Sequence, residues 1–266
     1  MIERGTGDFV KANWPAPPNI VALSTVRAGG YSKHPFSAFN LAKHVGDSER
    51  FVDANRQKLL RSCEGLKSIQ WLTQLHGENI VDLPFVESGS VAMDSREIHV
   101  PEADASYTTA KSIACAVLTA DCLPLLFCDD NGIEVAAVHA GWRGLAAGIL
   151  EQTARRFSAD EKHIMVWIGP AISQQNFEVG SEVKEAFMDC AAESSPRQIE
   201  RCFKKNATKP NHYFADLAQI ARVRLGQIGI KKVYGGNVCN FERNQQFFSY
   251  RRDKVTGRMA TLIYIK

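Results

Sequence analysis

The sequence predicts an α+β fold, because its strand candidates occur in runs and do not alternate regularly with helices. Three segments rich in Val, Ile, Leu and Ala follow one another in the middle of the chain, at residues 111–121, 123–129 and 133–141. Beyond Gly141 the hydrophobic period changes from that of a strand to that of a helix. We therefore expect a layered α+β domain and not a Rossmann sheet.

The other elements follow from hydrophobic period and from turn residues. In the segment 145–157, the residues Leu145, Ile149, Thr153 and Phe157 share one face of a predicted helix. Before the apolar segments we expect a strand at 19–27, a helix at 49–63, a strand at 68–77 and a polar stretch at 87–102. After them we expect a strand at 163–170, helices at 181–192 and 214–229, and strands at 231–239, 245–252 and 259–266.

Composition favours one globular domain with no general affinity for nucleic acid or membranes. The 266 residues are 45% hydrophobic, which is enough for one sizeable core, and we expect a single domain over 1–266. The 32 Lys and Arg nearly balance the 29 Asp and Glu, so the net charge of +3 gives no electrostatic reason to expect nucleic acid or a membrane surface. The aromatic residues are too dispersed for a nucleic-acid stacking platform.

Neither a targeting segment nor a disulfide framework is predicted. The first residues contain no apolar h-region, and the longest apolar run is interrupted by Asp121 and Pro124, which leaves it shorter than the ~18 residues of a spanning helix. The seven cysteines are odd in number and never form a C-x-x-C pair. We therefore expect a cytoplasmic, monomeric protein in which most thiols are buried.

Three residues at the ends of predicted strands suit metal ligation. His76, Cys122 and His139 are each followed within two residues by Gly or Pro, in "LHG", "DCLP" and "HAG". Side chains at neighbouring strand ends can converge on one point, and two His with one Cys leave the fourth position of a tetrahedral zinc open, as in catalytic sites. The alternative is that Cys122 is a core thiol and that each His only caps a strand.

The same residues also fit covalent catalysis. In that interpretation Cys122 is a thiolate nucleophile and His139 is its base. Asp121 is then a candidate proton shuttle, with turn formation as its alternative role. Both the metal and the nucleophile interpretations require a thiolate at Cys122, so the residues alone leave the choice open.

Arginines near glycine-rich turns are candidates for binding an anion. In "AGWRGLAAG" a turn enters a helix and carries Arg143, which suits a phosphate, although Gly141 and Gly144 could instead serve tight packing. The segment "STVRAGG" offers Arg27 on similar terms. The segment "SYRRDKVTGR" supplies further arginines that a solvated basic hairpin explains unless they face the site: Arg251, Arg252 and Arg258.

Taken together, "QLHG", "TADCLPLLF" and "VHAGWRG" resemble the signature of the bacterial laccase-domain family, also called purine nucleoside phosphorylase-like or polyphenol oxidase proteins. The similarity covers nearly the whole chain, including "STVRAGGYSKHPFSAFNLAKHVGD" and "FFSYRRDKVTGRMA". It implies a single-domain, four-layer α/β/β/α fold with mixed sheets, similar to the cytotoxic necrotizing factor catalytic domain. It also implies that His76, Cys122 and His139 bind zinc, and we expect Asn40 of "FNL" to bind the sugar or base of a substrate.

The resemblance implies three activities, which physical chemistry can rank. Zinc with an open position can activate water for attack at C6 of adenine or hold phosphate near C1′ of ribose, so a phosphorylase for adenosine, inosine and methylthioadenosine with adenosine deaminase activity comes first. A zinc- or Cys-dependent hydrolase that edits peptidoglycan precursors is the alternative. A copper polyphenol oxidase ranks third, because seven His are few for several coppers and a His2Cys set could hold one. The open position argues against a non-enzymatic adaptor with structural zinc.

Overall fold

Two large β-sheets pack face to face in the computed structural model, which describes residues 9–84, 100–191 and 196–266. The first sheet consists, in spatial order, of β1 (Phe9–Lys11), β2 (Ile20–Thr25), β14 (Met259–Ile265), β6 (Ile113–Thr119) and β3 (Ser68–Gln70). The second consists of β13 (Lys232–Gly235), β9 (Ile164–Ile168), β7 (Leu123–Asp129), β8 (Val135–Ala140), β5 (Ala105–Thr108) and β4 (Ile80–Leu83). A small third sheet contains β10 (Glu178–Gly180), β12 (His212–Ala215) and β11 (Phe203–Lys205).

Both large sheets are mixed. Strand β3 runs parallel to β6, β4 to β5, and β13 to β9, whereas β7 pairs antiparallel with both of its neighbours, β8 and β9. The helices of the described residues are α1 (Glu49–Ser62), α2 (Trp142–Ala147), α3 (Ile149–Ala154), α4 (Ser181–Asp189), α5 (Pro196–Arg201), α6 (Leu217–Gln227) and α7 (Tyr250–Asp253).

The hydrophobic core divides into layers on either side of each large sheet. Val117 and Ile263 of the first sheet meet Leu126, Ala137 and Trp167 of the second in the space between them. On the outer face of the first sheet, the α1 residue Leu59 and the residue after that helix, Cys63, pack against residues of β6 and β14, namely Ala114, Ala116 and Leu262. On the outer face of the second sheet, β7 and β8 pack against residues of α2, α3, α4 and α6: Leu145, Ile149, Phe187 and Ile220.

The order of layers is therefore helix, sheet, sheet, helix. It explains why 123–129 is apolar throughout, since Leu125 and Phe127 face the helices while Leu126 and Cys128 face the other sheet. A strand covered on both faces has no polar alternation. The α+β class with mixed sheets is confirmed, whereas the likeness to the cytotoxic necrotizing factor domain stays a prediction.

The three apolar segments are confirmed as strands β6, β7 and β8, but other predicted elements were wrong in part, including the strand at 231–239, of which only Lys232–Gly235 is a strand. The predicted strand 245–252 is a loop followed by α7, because Ser249 caps that helix by accepting a hydrogen bond from the Arg252 backbone N–H. The predicted strand 68–77 stops at Gln70. The predicted helix 145–157 is divided at Gly148, whose φ of 106° is left-handed, although its predicted face is buried.

One further helix begins later than predicted, and several expectations stay untested. The predicted helix 214–229 begins only at Leu217, with Asp216 as its N-cap, because residues 214–215 belong to β12. Of the polar stretch predicted at 87–102, residues 87–99 lie outside the described residues. No helix in the described ranges is both long and apolar enough to cross a bilayer. The single domain over 1–266, the cytoplasmic location and the monomeric state stay predictions.

The layer between the sheets gives a test of the fold. Leu126 is fully buried there, so Leu126→Ala should lower the free energy of unfolding by about 2–5 kcal/mol, because it removes buried methyl groups and leaves a cavity. Ile133 is 59% exposed, and Ile133→Ala should change the free energy of unfolding by less than about 0.5 kcal/mol. Urea unfolding measures both, and an equally small effect of the two substitutions would contradict a packed interior at Leu126.

Candidate metal centre

The candidate site lies where the chain crosses from one large sheet to the other. Strand β6 ends at Thr119 in the first sheet and β7 begins at Leu123 in the second, so Cys122 sits on the crossing loop. The neighbouring strand β8 carries His139, and Leu123 is paired with Ala140. His76 lies on the loop that leads into β4 at the far edge of the second sheet.

The structure brings His76, Cys122 and His139 together. One ligand atom from each lies within 4.8 Å of those of the other two, and Cys122 Sγ is 3.7 Å from His76 Nε2. The two imidazole rings meet edge to face with centroids 4.7 Å apart. His139 is buried, Cys122 is half-buried and His76 is exposed, so the group opens to solvent on the His76 side.

A buried carboxylate, Asp104, fixes the orientation of His139. Its Oδ1 is 2.7 Å from His139 Nδ1, and both side chains are almost fully buried, with 1% and 3% of their surface exposed. The backbone N–H of His139 also donates to the Asp104 carbonyl at 2.7 Å. A hydrogen bond to Nδ1 leaves Nε2 as the ligating nitrogen, which is the usual carboxylate–histidine arrangement at metal sites.

The same carboxylate holds the His76 loop. Asp104 accepts hydrogen bonds from the backbone N–H groups of Leu75 (3.1 Å), His76 (3.0 Å) and Gly77 (2.7 Å). His76 has a φ of 60°, a left-handed conformation that costs a non-glycine residue about 1 kcal/mol or more. Three N–H donors converging on one charged acceptor stabilise this conformation.

Two glycines after β8 let the His76 loop approach the start of α2. A Cβ on Gly141 would lie 2.7 Å from the His76 ring and 3.5 Å from Cys122 Sγ. A Cβ on Gly144 would lie 2.5 Å from the Gly77 carbonyl oxygen. Real Cβ atoms do not approach other atoms as closely as 2.7 or 2.5 Å, so "AGWRG" carries glycine at both positions for close packing around the site.

The charges of the three groups favour a thiolate. Burial acts to raise the pKa of Cys122, but the adjacent His139 and His76 outweigh it and lower the pKa of this thiol to about 6. Burial likewise opposes the charged form of His139, yet Cys122 and Asp104 raise the pKa of that imidazole to about 9. For Asp104, hydrogen bonds from His139 and the loop backbone outweigh burial and lower its pKa. Thiolate is the form that binds metals.

The donor set fits a tetrahedral metal ion. Atoms bound to one zinc ion stand roughly 3.5 Å apart, given bond lengths of about 2.3 Å to sulfur and about 2.0 Å to nitrogen. The observed separations of up to 4.8 Å require only small side-chain movements to reach this geometry. Within the described residues, His76, Cys122 and His139 form the one group of three or more His, Cys, Asp or Glu side chains that is placed to hold a metal ion.

Asp121, the candidate proton shuttle, holds the C-terminal segment to the crossing loop. Its carboxylate accepts hydrogen bonds from Asn240 Nδ2 (2.9 Å), Ser249 Oγ (2.7 Å) and the Arg251 backbone N–H (2.6 Å). Its φ of 103° is unusual for a residue other than glycine, and the three donors stabilise it. The structure thus gives Asp121 a positioning task, and its part in proton transfer stays a prediction.

The three predicted substrate-binding residues have different surroundings. Asn40 is fully buried, and its amide contacts the Ala42 backbone, Asp47 and the Arg258 N–H. The Arg27 side chain donates to the carbonyls of Ser37 and Asn244 and lies over the Phe248 ring. Arg143 is exposed in the first turn of α2, with its guanidinium 4.3 Å from the centre of the Trp142 ring. Substrate binding by each stays a prediction.

Sequence reasoning did not identify Asp104. The residue precedes the short strand β5, in "PEADASYTT", and nothing in that segment distinguishes it from a turn former. A metal-binding His generally donates its second ring N–H to an acceptor, so a partner for His139 was to be expected. Which residue plays that part depends on the pairing of β5 with β8, where Ala105 is opposite Val138.

Residues 21–266 match the protein family described as "Multi-copper polyphenol oxidoreductase laccase". The "Purine nucleoside phosphorylase YfiH" of Shigella flexneri is 44% identical over 257 residues, which cover 97% of this chain and 98% of that relative. The "Purine nucleoside phosphorylase PA4543" of Pseudomonas aeruginosa is 42% identical over 258 residues, with the same coverage of 97% and 98%.

Two solved structures share the fold. The Neisseria meningitidis protein NMB0706 superimposes with a TM-score of 0.87 at 39% identity, covering 98% of this chain and 100% of that one. YlmD from Geobacillus stearothermophilus gives a TM-score of 0.86 at 30% identity, covering 100% of this chain and 98% of that one. Since sequence and fold both match over nearly the full length, the chain belongs to the family described as multi-copper polyphenol oxidoreductase laccase.

Proposed function

We propose that this protein is a zinc-dependent purine nucleoside phosphorylase that also deaminates adenosine. The observation that carries the proposal is the group of His76, Cys122 and His139, which supplies three ligands and is open to solvent on one side. Two nitrogens and one thiolate with an open position are the donor set of a catalytic zinc. Relatives more than 40% identical over nearly their whole length are named purine nucleoside phosphorylases, which supports an enzyme acting on nucleosides and phosphate.

The chemistry divides between the ion and the residues around it. When bound, zinc supplies a Lewis acid that polarises oxygen atoms and lowers the pKa of water, which suits both phosphate and water as attacking groups. Asp104 keeps the proton of His139 on Nδ1, and the glycines at 141 and 144 keep the His76 loop against α2. Asp121, next to Cys122, is the proposed proton carrier to the leaving base.

Substrate contacts are proposed at the rim of the site. Arg143 lies two residues after Gly141, and no hydrogen bond within the described residues uses its exposed guanidinium, which leaves donors for a phosphate. Because it is exposed, its contribution to phosphate affinity should be only a few-fold. Asn40 and Arg27 use their side chains mostly within the protein, so a substrate role for them requires an indirect effect or a rearrangement.

The family description favours a second candidate, a copper polyphenol oxidase. Two His and one Cys also suit a single copper ion. Reduction of oxygen to water needs four electrons, and the described residues offer one such ligand group. We therefore rank this activity below phosphorolysis, and we keep the peptidoglycan-editing hydrolase as the alternative use of a zinc- or Cys-dependent site.

Metal content and product analysis test the proposal together. Protein purified away from chelators should contain about one zinc per chain by elemental analysis, because the three ligands form a single site. With phosphate, adenosine and inosine should give free base and ribose 1-phosphate, and adenosine without phosphate should give inosine. A zinc-loaded protein that releases neither product would refute the proposed activity, and bound copper with strong blue absorption would revive the oxidase.

Substitution of Cys122 separates the metal from the nucleophile interpretation. Cys122→Asp keeps an anionic ligand but no sulfur nucleophile, whereas Cys122→Ser keeps a hydroxyl that binds zinc poorly. If zinc is the catalyst, the Asp variant should keep part of the metal and part of the turnover, and the Ser variant should lose both. A covalent substrate adduct on Cys122, seen by intact-protein mass spectrometry, would contradict zinc catalysis, as would an inactive Asp variant with full metal occupancy.

A further inference from the structure

The C-terminal segment places beside the metal centre an arginine, Arg258, that forms no ion pair with a carboxylate of the described residues. Arg258 immediately precedes β14, whose residue Met259 is opposite Thr119 at the end of β6, three residues before Cys122. The charges of Cys122 and Asp121 both act on the Arg258 guanidinium. No carboxylate of the described ranges lies within the 4.0 Å of an ion pair with it.

Backbone carbonyls hold the Arg258 side chain through only one of its three nitrogens. Its Nη1 donates to the carbonyls of Thr256 (2.9 Å) and Gly257 (3.1 Å), and no hydrogen bond within the described chain uses Nε or Nη2. The backbone N–H of Arg258 donates to Asn40 Oδ1 at 2.9 Å. Gly257 packs so closely that a Cβ there would lie 2.8 Å from the Phe248 ring, which fixes the turn before Arg258.

A second basic side chain, Lys254, lies near the same aromatic ring as Arg258. The Arg258 guanidinium lies 5.6 Å and the Lys254 ammonium 5.8 Å from the centre of the Tyr250 ring. Arg258 also acts on His44, where burial together with the positive charge of Arg258 lowers the pKa. By contrast, Arg252 pairs with Asp253 and donates to three backbone carbonyls, and Arg251 donates to the Glu178 carbonyl.

A half-buried guanidinium without a carboxylate partner is costly, and its burial lowers the pKa of Arg258. Its free Nε and Nη2 donors form the fork that binds two oxygens of a phosphate or carboxylate. We propose that Arg258, assisted by Lys254, binds an oxyanion beside the metal centre. The inference rests on the proposed function in one respect, since phosphate is the oxyanion that a phosphorylase requires.

Direct binding tests the oxyanion site independently of catalysis. Isothermal titration of the zinc-loaded protein with inorganic phosphate should show binding, and Arg258→Gln should raise the dissociation constant at least about tenfold, because it removes a charge-assisted pair of hydrogen bonds. The matched control Arg155→Gln removes an exposed arginine at the end of α3 and should leave the constant unchanged. Zinc content should be equal in all three proteins.

Acetate titration and the variant Lys254→Gln distinguish the remaining outcomes. Titration with acetate identifies which kind of oxyanion the site binds. If acetate binds and phosphate does not, and if Arg258→Gln abolishes acetate binding, the site takes a carboxylate. In that case the oxyanion site stands and only the phosphorylase proposal is refuted. Lys254→Gln changes an exposed side chain and should weaken binding a few-fold, so it decides the question if Arg258→Gln does not fold. Unchanged affinity in the folded variants, or no binding of either anion, would overturn the inference even if phosphorolysis is observed.

Discussion

The site depends on one buried carboxylate that accepts four N–H donors from two separate parts of the chain. Asp104 binds the His139 ring and the backbone of residues 75–77, so it sets both the direction of one candidate ligand and the conformation of the loop that carries another. Replacing it leaves the buried His139 donor and three part-buried backbone donors unpaired at once. The third candidate ligand, Cys122, directly precedes β7, where Leu123 and Pro124 pair with Ala140 and His139 of β8.

A second carboxylate, Asp121, connects this arrangement to the end of the chain. Its bonds to Asn240, Ser249 and Arg251 fix the segment that precedes β14. Asn40 continues the connection by accepting the Arg258 N–H. Loops from both large sheets therefore meet around the three candidate ligands, and the carboxylates of Asp104 and Asp121 hold those loops in position. Residues far apart in sequence therefore lie together at one edge of the two packed sheets.

The sequence predicted the buried strands β6, β7 and β8 and the grouping of His76, Cys122 and His139. Apolar runs specify strands that are covered on both faces. Cys122 and His139 come together because β7 pairs with β8, whereas His76 reaches them on a loop that Asp104 holds and not at the end of a strand. The sequence could not predict Asp104, since its role follows from the register between β5 and β8, two strands distant in the chain. The prediction of a strand at 245–252 was wrong, because the aromatic residues Phe247 and Phe248 belong to a loop that packs against Val26, Ala120 and Met259 without pairing as a strand.

The most direct test of the account is the zinc affinity of Asp104→Asn, measured by competition with a chromogenic chelator. The amide cannot accept all four N–H groups, so the zinc dissociation constant should rise about 10- to 100-fold. The matched control is Asp129→Asn, another buried carboxylate that accepts three backbone N–H groups at the end of β7, and it should cost stability without changing zinc affinity. Equal zinc affinity in the wild type and in a folded Asp104→Asn variant would contradict the central role of Asp104.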